Sequence, residues 1–83
     1  MSNENRHSIF EVLNEIFADV LDLDDVALQD STTAEDIEEW DSLSHIRLVV
    51  SIEQHYGIKF TTAEIEGLSS VGHLVDHIQA KTA

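Results

Sequence analysis

Apolar residues recur at steps of three and four positions in three stretches of this chain, and this spacing constrains the fold more than any other feature. The stretches run through Ile9, Leu13, Ile16 and Val20, then Leu43, Ile46, Val49 and Val50, and finally Val71, Leu74, Val75 and Ile78. Such spacing places an apolar stripe along one side of an α-helix. Each stripe must be buried against another element. The sequence therefore predicts an all-α protein.

Short polar patterns predict where two of these helices begin. Ser8 and Glu11 form a Ser-x-x-Glu capping box that predicts the start of the first helix, with an alternative start one turn earlier near Asn3. Thr61 and Glu64 repeat the pattern and predict the start of a short third helix. The prediction is a small four-helix bundle with three longer helices and one short third helix.

Glycine and serine mark two further boundaries. Gly57 is expected to end the second helix, and Ser70 is expected to cap the last one. Residues 58–60 have the composition of a strand, but nothing else in the chain offers them a partner strand. We expect them to form an extended link whose apolar ends plug the core.

About twenty residues between the first and second helices lack a sustained helical period. Loops of this length are uncommon in compact domains unless they are functional or disordered. The loop contains four well-spaced apolar residues, so we expect it to pack over the bundle. They are Val26, Leu28, Ile37 and Trp40. Residues 33–38 are predicted to form a single helical turn.

The length and composition narrow the function. A chain of 83 residues supports one domain, residues 1–83, with one modest core, which leaves little room to enclose a substrate, so an enzyme is disfavoured. The chain has no cysteine, which excludes disulfides and thiolate metal clusters. Its polar N-terminus and the lack of a long apolar run predict a soluble, cytoplasmic protein.

The formal net charge of −13 constrains the partners. A surface of this charge repels nucleic acids and anionic membranes, and it attracts basic patches on proteins. Nine of the acids lie between Asp22 and Asp41, a stretch that contains no Lys or Arg. We therefore predict partner proteins with basic docking patches, and neither nucleic-acid nor membrane binding. We expect the chain itself to be a monomer.

The acidic loop leads directly to Asp41, Ser42 and Leu43. Asp41 suits the N-cap of the second helix, Ser42 then becomes its first residue and faces solvent, and Leu43 is expected to face inward. A phosphate ester on the Ser42 hydroxyl would lie at the positive end of the helix dipole. Capping alone would also explain an Asp-Ser pair.

The tripeptide Asp41-Ser42-Leu43 at the head of the second helix resembles the DSL signature of acyl carrier proteins. The resemblance extends over nearly the whole chain, through the helix order, the long loop and the final Val-x-x-Leu-Val-x-x-Ile helix. It implies that Ser42 carries 4'-phosphopantetheine, transferred from coenzyme A by a phosphopantetheinyl transferase. The thiol of that arm would hold acyl or aminoacyl groups as thioesters and present them to partner enzymes. Asp41 and Leu43 would be neighbours in the motif, and the protein itself would catalyse nothing.

This chain departs from the pattern of the carriers used in fatty acid synthesis. Glu39 and Trp40 stand where those carriers usually have Gly-x, and residues 42–56 contain one acid, Glu53, and one base, Arg47. The sequence Trp-Asp-Ser-Leu followed by His45 is more similar to stand-alone carriers of specialised pathways.

The sequence also contains patterns that are typical of other functions. The rival function is an acidic helical interaction module without a prosthetic group. A hydrolytic triad of Asp41, Ser42 and His45 is rejected because neighbours on one helical stretch rarely meet that geometry. His73 and His77 have a spacing that can bind zinc but lack the Glu of HEXXH, so we predict no metal site.

Trp40, the only tryptophan, has two interpretations. It is either a hydrophobic lid over the junction of loop and second helix, which we favour, or a docking anchor for partners.

Overall fold

The computed structural model describes residues 5–24 and 26–82, and these residues form four α-helices and no strand. The helices are α1 (Arg6–Leu21), α2 (Ser42–Tyr56), α3 (Thr62–Glu66) and α4 (Val71–Lys81). The predicted all-α bundle, with its short third helix and its long loop between α1 and α2, is confirmed.

The core lies where α1 packs against both α2 and α4. All three longer helices contribute side chains to it, and the loop and the α2–α3 link add others. The buried apolar residues are Ile9, Leu13, Phe17, Leu21, Trp40, Leu48, Val49, Ile52, Phe60, Leu68, Val71, Leu74, Val75 and Ile78. Full burial of each large side chain contributes about 1.5–3 kcal/mol, so this cluster stabilises the bundle.

The start of α1 differs from the predicted capping box. The side chain of Asn5 accepts a hydrogen bond from the Ser8 amide at 2.8 Å and caps the helix. Ser8 therefore lies inside the first turn, and the Ser8–Glu11 capping box is wrong. The alternative start near Asn3 falls outside the described residues.

The orientation of α2 also corrects the sequence analysis. Leu48, Val49 and Ile52 are buried, but Leu43 is 72% exposed, and the prediction that it faces inward is wrong. Ile46 and Val50 are exposed as well, at 49% and 43%. Apolar residues lie on two sides of this helix, and their spacing does not say which side meets the core.

We name the two sides of α2 by their residues. The inner face consists of Leu48, Val49 and Ile52. The outer face consists of Leu43, Ile46, Arg47 and Val50, all of which are exposed. At 100° per residue the two faces point in opposite directions, so one helix carries two apolar surfaces.

Residues 33–40 form two consecutive turns, so the predicted single helical turn at residues 33–38 is wrong. The Asp36 amide donates to the Thr33 carbonyl at 3.0 Å, and the Trp40 amide donates to the Ile37 carbonyl at 3.0 Å. The Asp36 carboxylate also accepts from the Thr33 amide at 3.0 Å. Each of the two backbone bonds spans three residues, so each closes a single turn and not an α-helix.

The long loop is fastened to the first turn of α4. The Gly72 amide donates to the Asp30 carbonyl at 3.0 Å, and the Val71 amide donates to the Thr32 carbonyl at 2.9 Å. A Cβ on Gly72 would lie 2.9 Å from the Asp30 carbonyl oxygen, which is too close, so glycine is required. Arg6 of α1 pairs with Asp30 and with Asp76 of α4. These contacts hold the loop in place as it delivers the chain to α2.

The other predicted helix boundaries are confirmed. Gly57 ends α2 in the left-handed conformation at φ 67°, and Ser70 caps α4. Thr61 and Glu64 form the reciprocal capping box of α3. The link at residues 58–60 forms neither helix nor strand, and its apolar ends contact the core as expected, with Phe60 buried and Ile58 partly buried.

Candidate functional site

Asp41 caps α2, as the sequence predicts. Its backbone is extended, and its carboxylate accepts a hydrogen bond from the Ser44 amide at 2.9 Å. This bond from the Ser44 amide is the main reason that the pKa of Asp41 lies below its ordinary value. The charged carboxylate therefore holds the first turn of α2 together.

Ser42 is the first residue of α2, and its side chain is exposed. The first amides of a helix lack intrahelical acceptors and carry the positive end of the helix dipole. An ester phosphate at this hydroxyl would meet favourable electrostatics, and an enzyme could reach it from solvent. Leu43, the third motif residue, also points to solvent and lies beside Ser42 on the outer side.

Trp40 is buried beneath this turn. Its side chain is 4% exposed and packs edge-on against Phe17 of α1, with ring centroids 5.0 Å apart at 89°. A side chain so enclosed presents little surface to a partner. The structure therefore favours a lid over the junction of loop and α2 rather than a docking anchor.

His45 connects Trp40 to α3, a contact that the sequence analysis did not identify. The Trp40 indole Nε1 lies 3.1 Å from His45 Nδ1, and His45 Nε2 lies 3.0 Å from the Ile65 carbonyl oxygen. The two rings also stack, with centroids 6.0 Å apart and an interplanar angle of 23°. The signal available in the sequence was a tryptophan and a histidine on either side of a helix start.

A cleft of about 570 Å³, open to solvent, lies between α2 and α3 directly beside Ser42. Trp40, His45, Ile46, Ile65 and Leu68 line it, so most of its wall is apolar. Ser42 and Asp41 stand at its edge. A group attached to Ser42 could therefore lie along an apolar surface of the protein.

Acidic side chains lie on one side of Ser42, in the loop, and not on the outer face of α2. Glu35, Asp36, Glu38 and Glu39 of the loop are all exposed on the N-terminal side of the site. On α2 the only acid is Glu53, whose carboxylate accepts from the Phe60 amide at 2.8 Å. The outer face of α2 therefore has no carboxylate, although it adjoins a strongly acidic loop.

The contacts of Asp41 and His45 are not those of a hydrolytic triad, and His73 and His77 each contact other side chains. Both ring nitrogens of His45 are occupied by Trp40 and the Ile65 carbonyl, and Asp41 binds the Ser44 amide, so no triad forms with Ser42. His73 contacts Ser69, and His77 lies 3.7 Å from Glu64.

Among residues 5–24 and 26–82, no group of three or more His, Cys, Asp or Glu side chains could hold a metal ion. None of the helices described is both long and apolar enough to cross a bilayer.

Comparisons with known proteins agree with this site. The family model described as a phosphopantetheine attachment site matches residues 11–78. The acyl carrier protein of Clostridium acetobutylicum is 32% identical over 74 residues, covering 89% of this chain and 96% of that protein. The polyketide-8 synthase acyl carrier protein 2 of Streptomyces avermitilis is 34% identical over 61 residues, covering 74% of this chain and 70% of the relative.

A solved structure has the same fold. The solution NMR structure of holo acyl carrier protein from Geobacter metallireducens superposes with a TM-score of 0.81 at 46% identity, and the match covers 87% of this chain and 83% of that one. Nothing in these comparisons supports an interaction module without a prosthetic group. The chain therefore belongs to the acyl carrier protein family, and it is a phosphopantetheine-dependent carrier rather than an enzyme.

Proposed function

We propose that Ser42 is the residue to which the 4'-phosphopantetheine arm is attached, and that Asp41 and Leu43 are its recognition neighbours. The single observation that carries this proposal is an exposed serine hydroxyl at the first position of α2. The site fits the group, since unpaired amides at a helix start favour a phosphodiester and the adjoining cleft of about 570 Å³ offers it an apolar wall.

The attachment reaction uses the residues in separate roles. The Ser42 oxygen loses its proton and forms a bond to the pantetheine phosphate of coenzyme A, and adenosine 3',5'-bisphosphate leaves. Asp41 keeps the first turn of α2 ordered, so the hydroxyl is presented at a fixed place. The bound arm supplies a terminal thiol that holds acyl or aminoacyl groups as thioesters. A tethered cargo has a high effective concentration at any enzyme that docks the carrier.

Intact mass measurement tests the attachment site. The chain is incubated with coenzyme A and a broad-specificity phosphopantetheinyl transferase. We expect the wild type to gain the mass of one phosphopantetheine, and Ser42→Ala to gain none. Ser44→Ala, which removes another hydroxyl from the same turn, is the matched control and should be loaded normally. A modified Ser42→Ala chain would overturn the assignment.

As an acyl carrier protein, the chain interacts with transferases and acyl-handling enzymes. We propose that these partners bring a basic patch to the acidic loop on one side of Ser42 and an apolar patch to the outer face of α2 on the other. Exposed Glu38 and Glu39 support the first contact, and exposed Leu43 and Val50 support the second. Apolar side chains clustered on the surface of a monomer commonly mark a protein contact.

A pair of double variants tests the charged half of this proposal. Glu38→Lys with Glu39→Lys reverses two loop charges beside Ser42. Glu15→Lys with Asp19→Lys makes the same change in net charge on the exposed side of α1. We expect the loop variant to lower the transferase kcat/KM about tenfold at low salt and to weaken its salt dependence, with a much smaller effect of the α1 variant. Equal effects of both variants would show that only the net charge matters.

The outer face also supports a role in a specialised pathway. Fatty acid synthesis carriers usually line this helix with acids, and here the outer face carries Arg47 and no acid. We propose that the partners of this chain are dedicated enzymes whose docking surfaces match that neutral face.

We further propose that residues 1–83 form one carrier domain, since the core draws side chains from three helices, the loop and the link between α2 and α3. The monomeric state, the cytoplasmic location and the absence of nucleic-acid and membrane partners stay predictions.

A further inference from the structure

One side chain, His45, joins three parts of the molecule at the attachment site. Trp40 belongs to the end of the long loop, His45 to α2 and Ile65 to α3. The contacts from His45 to the Trp40 indole nitrogen and to the Ile65 carbonyl oxygen are 3.1 Å and 3.0 Å. We call these three groups the Trp40–His45–Ile65 bridge.

The Trp40 indole N–H and the Ile65 carbonyl determine which ring nitrogen of His45 carries the proton. An indole N–H can only donate, and a carbonyl oxygen can only accept. His45 must therefore accept at Nδ1 and donate from Nε2, which is one tautomer of the neutral ring. A second proton would sit on Nδ1 and face the indole N–H directly. Protonation of His45 is thus incompatible with the bond to Trp40.

The third helix depends on such contacts because it is short. α3 has five residues, and none of their side chains is fully buried. On its other side, Glu64 pairs with Lys81 of α4 at 3.0 Å. The bond from His45 to the Ile65 carbonyl joins α2 directly to α3. Ile65 and His45 both line the cleft beside Ser42.

We propose that His45 is a positioning residue of the attachment site: its neutral ring joins Trp40 and α3 to the first turns of α2, and its protonation breaks the bond to the Trp40 indole and loosens the wall of the cleft beside Ser42. His45 lies one helical turn after Ser42, so the bridge determines how the wall next to the arm is placed. The consequence for an attached arm rests on the proposed function of Ser42. The bridge itself is independent of that function.

Two carboxylates line the same cleft and must be included in any test of pH dependence. Asp41 belongs to the start of α2, where it binds the Ser44 amide, and Glu66 lies at the end of α3. Negative charges near an imidazole favour its protonated form. Both carboxylates are therefore left unchanged in the experiments that follow.

Nuclear magnetic resonance of the unmodified wild-type chain tests the bridge without any substitution. We expect the His45 ring signals at neutral pH to show the tautomer protonated on Nε2. As the pH falls, the hydrogen-exchange protection factor of the Trp40 indole N–H should drop about fivefold, the effect of losing one net hydrogen bond. The drop should have the same midpoint as the titration of the His45 ring. Protection that stays constant while His45 titrates would overturn the proposal, as would the other tautomer.

Variants separate the bridge from a general role of histidine in α2. His45→Phe keeps a ring but loses both bonds, so protection of the Trp40 indole N–H should be low at every pH. Trp40→Phe keeps a ring against Phe17 and loses only the indole donor, so the His45 tautomer should no longer be fixed. His55→Phe, in the exposed last turn of α2, is the matched control and should leave the pH dependence unchanged. If His55→Phe removes the dependence, the bridge is not its cause.

The two proposals fail separately. A wild-type chain that gains no phosphopantetheine overturns the assignment of Ser42 and leaves the exchange experiment intact. A chain that is loaded normally but shows no coupling of the Trp40 indole N–H to the protonation of His45 overturns the bridge alone.

Discussion

The inner and outer faces of α2 have nearly the same side chains and opposite environments. Leu48, Val49 and Ile52 are at most 2% exposed, whereas Leu43, Ile46 and Val50 range from 43% to 72%. Burial of the inner face explains why the helix stays on the bundle. In the part of the chain that the structure describes, no packing contact accounts for the apolar outer face, which begins beside the exposed hydroxyl of Ser42.

This difference shows that one helix serves two purposes. A surface helix of a globular protein normally has a single apolar stripe, and apolar residues on a second side point to a second surface to be covered. The inner face is covered by the domain itself, and we propose that partner enzymes cover the outer face for the time needed to act at Ser42. Such a contact must be weak enough to release, which suits a few exposed side chains rather than a large interface.

The strongest test of the comparison is the same substitution on both faces. Ile52→Ala should lower the free energy of unfolding by about 2–5 kcal/mol, because it opens a cavity in a packed core. Ile46→Ala, on the outer face, should change it by less than about 0.5 kcal/mol. Urea denaturation followed by circular dichroism measures both values.

Adjacent valines provide the control for that experiment. Val49 is 2% exposed and Val50 is 43% exposed, so alanine at the two positions removes identical atoms from opposite faces. We expect the same ordering, with a smaller cost at position 49 because valine is smaller than isoleucine. Comparable losses at positions 46 and 52 would mean that the outer face is packed within the domain.

The two faces also show which features of the fold could be predicted from the sequence and which could not. Periodicity predicted that residues 43–56 are helical, and the capping residues Asp41, Gly57, Thr61 and Ser70 were located correctly, because caps and glycine act through local backbone chemistry. Which face turns inward depends on how α1 and α4 meet α2, and that information is not local. The inward prediction for Leu43 failed for this reason.

The site was only partly predictable on the same grounds. The position of Ser42 after an N-cap follows from neighbouring residues, and the family resemblance supplied its chemical role. The contact of His45 with Ile65 joins residues 20 positions apart and depends on where α3 packs. Two turns, each closed by a backbone bond over three residues, replaced the expected helical turn at residues 33–38, and periodicity does not register such short turns.

A second prediction concerns the function of the outer face. Leu43→Ala combined with Val50→Ala should lower the transferase kcat/KM about tenfold, which corresponds to about 1.4 kcal/mol, because apolar contacts with the partner are lost. The melting temperature should hardly change. Initial rates of phosphopantetheine incorporation measure the effect.

Gln54→Ala is the matched control for that double variant. Gln54 lies on the same side of α2, one turn beyond Val50, and is exposed and polar. Its truncation should leave the incorporation rate within about twofold, the scatter expected for a surface position. If the rate falls as far as it does for the apolar pair, then the apolar character of the face is not what the partner recognises.

A third prediction separates stability from docking by changing neither face. Gly57 ends α2 at φ 67°, where a side chain is strained although no atom lies within 4 Å of an added Cβ. Gly57→Ala should lower the unfolding free energy by about 1 kcal/mol. The incorporation rate at a temperature where the chain stays folded should be unchanged. A parallel fall in rate would mean that loading follows stability rather than the outer face.

The smallest expected effect is at Asp41. This residue is the N-cap of α2 and belongs to neither the inner nor the outer face. The Ser44 amide lowers the pKa of Asp41 below its ordinary value. A carboxylate of this kind stabilises the fold above the unfolded pKa of about 3.9, and the contribution is lost as pH falls through the lower folded pKa. Asp41→Asn still offers a capping oxygen but does not titrate. Its melting temperature should therefore match the wild type near neutral pH and decline less steeply below about pH 4.

The same variant distinguishes the first turn of α2 from the rest of the helix. That turn carries Ser42 and exposed Leu43, whereas the buried inner face begins at Leu48. Fraying of the turn in acid should therefore expose the attachment site to disorder before the core is affected. Hydrogen exchange of the His45 amide, which donates to the Asp41 carbonyl at 2.8 Å, should report it. In the wild type, protection at His45 should fall at a higher pH than protection at Ile52, and in Asp41→Asn the two should converge. Simultaneous loss at both amides in the wild type would show that α2 unfolds as one unit and that its start is no weaker than its inner face.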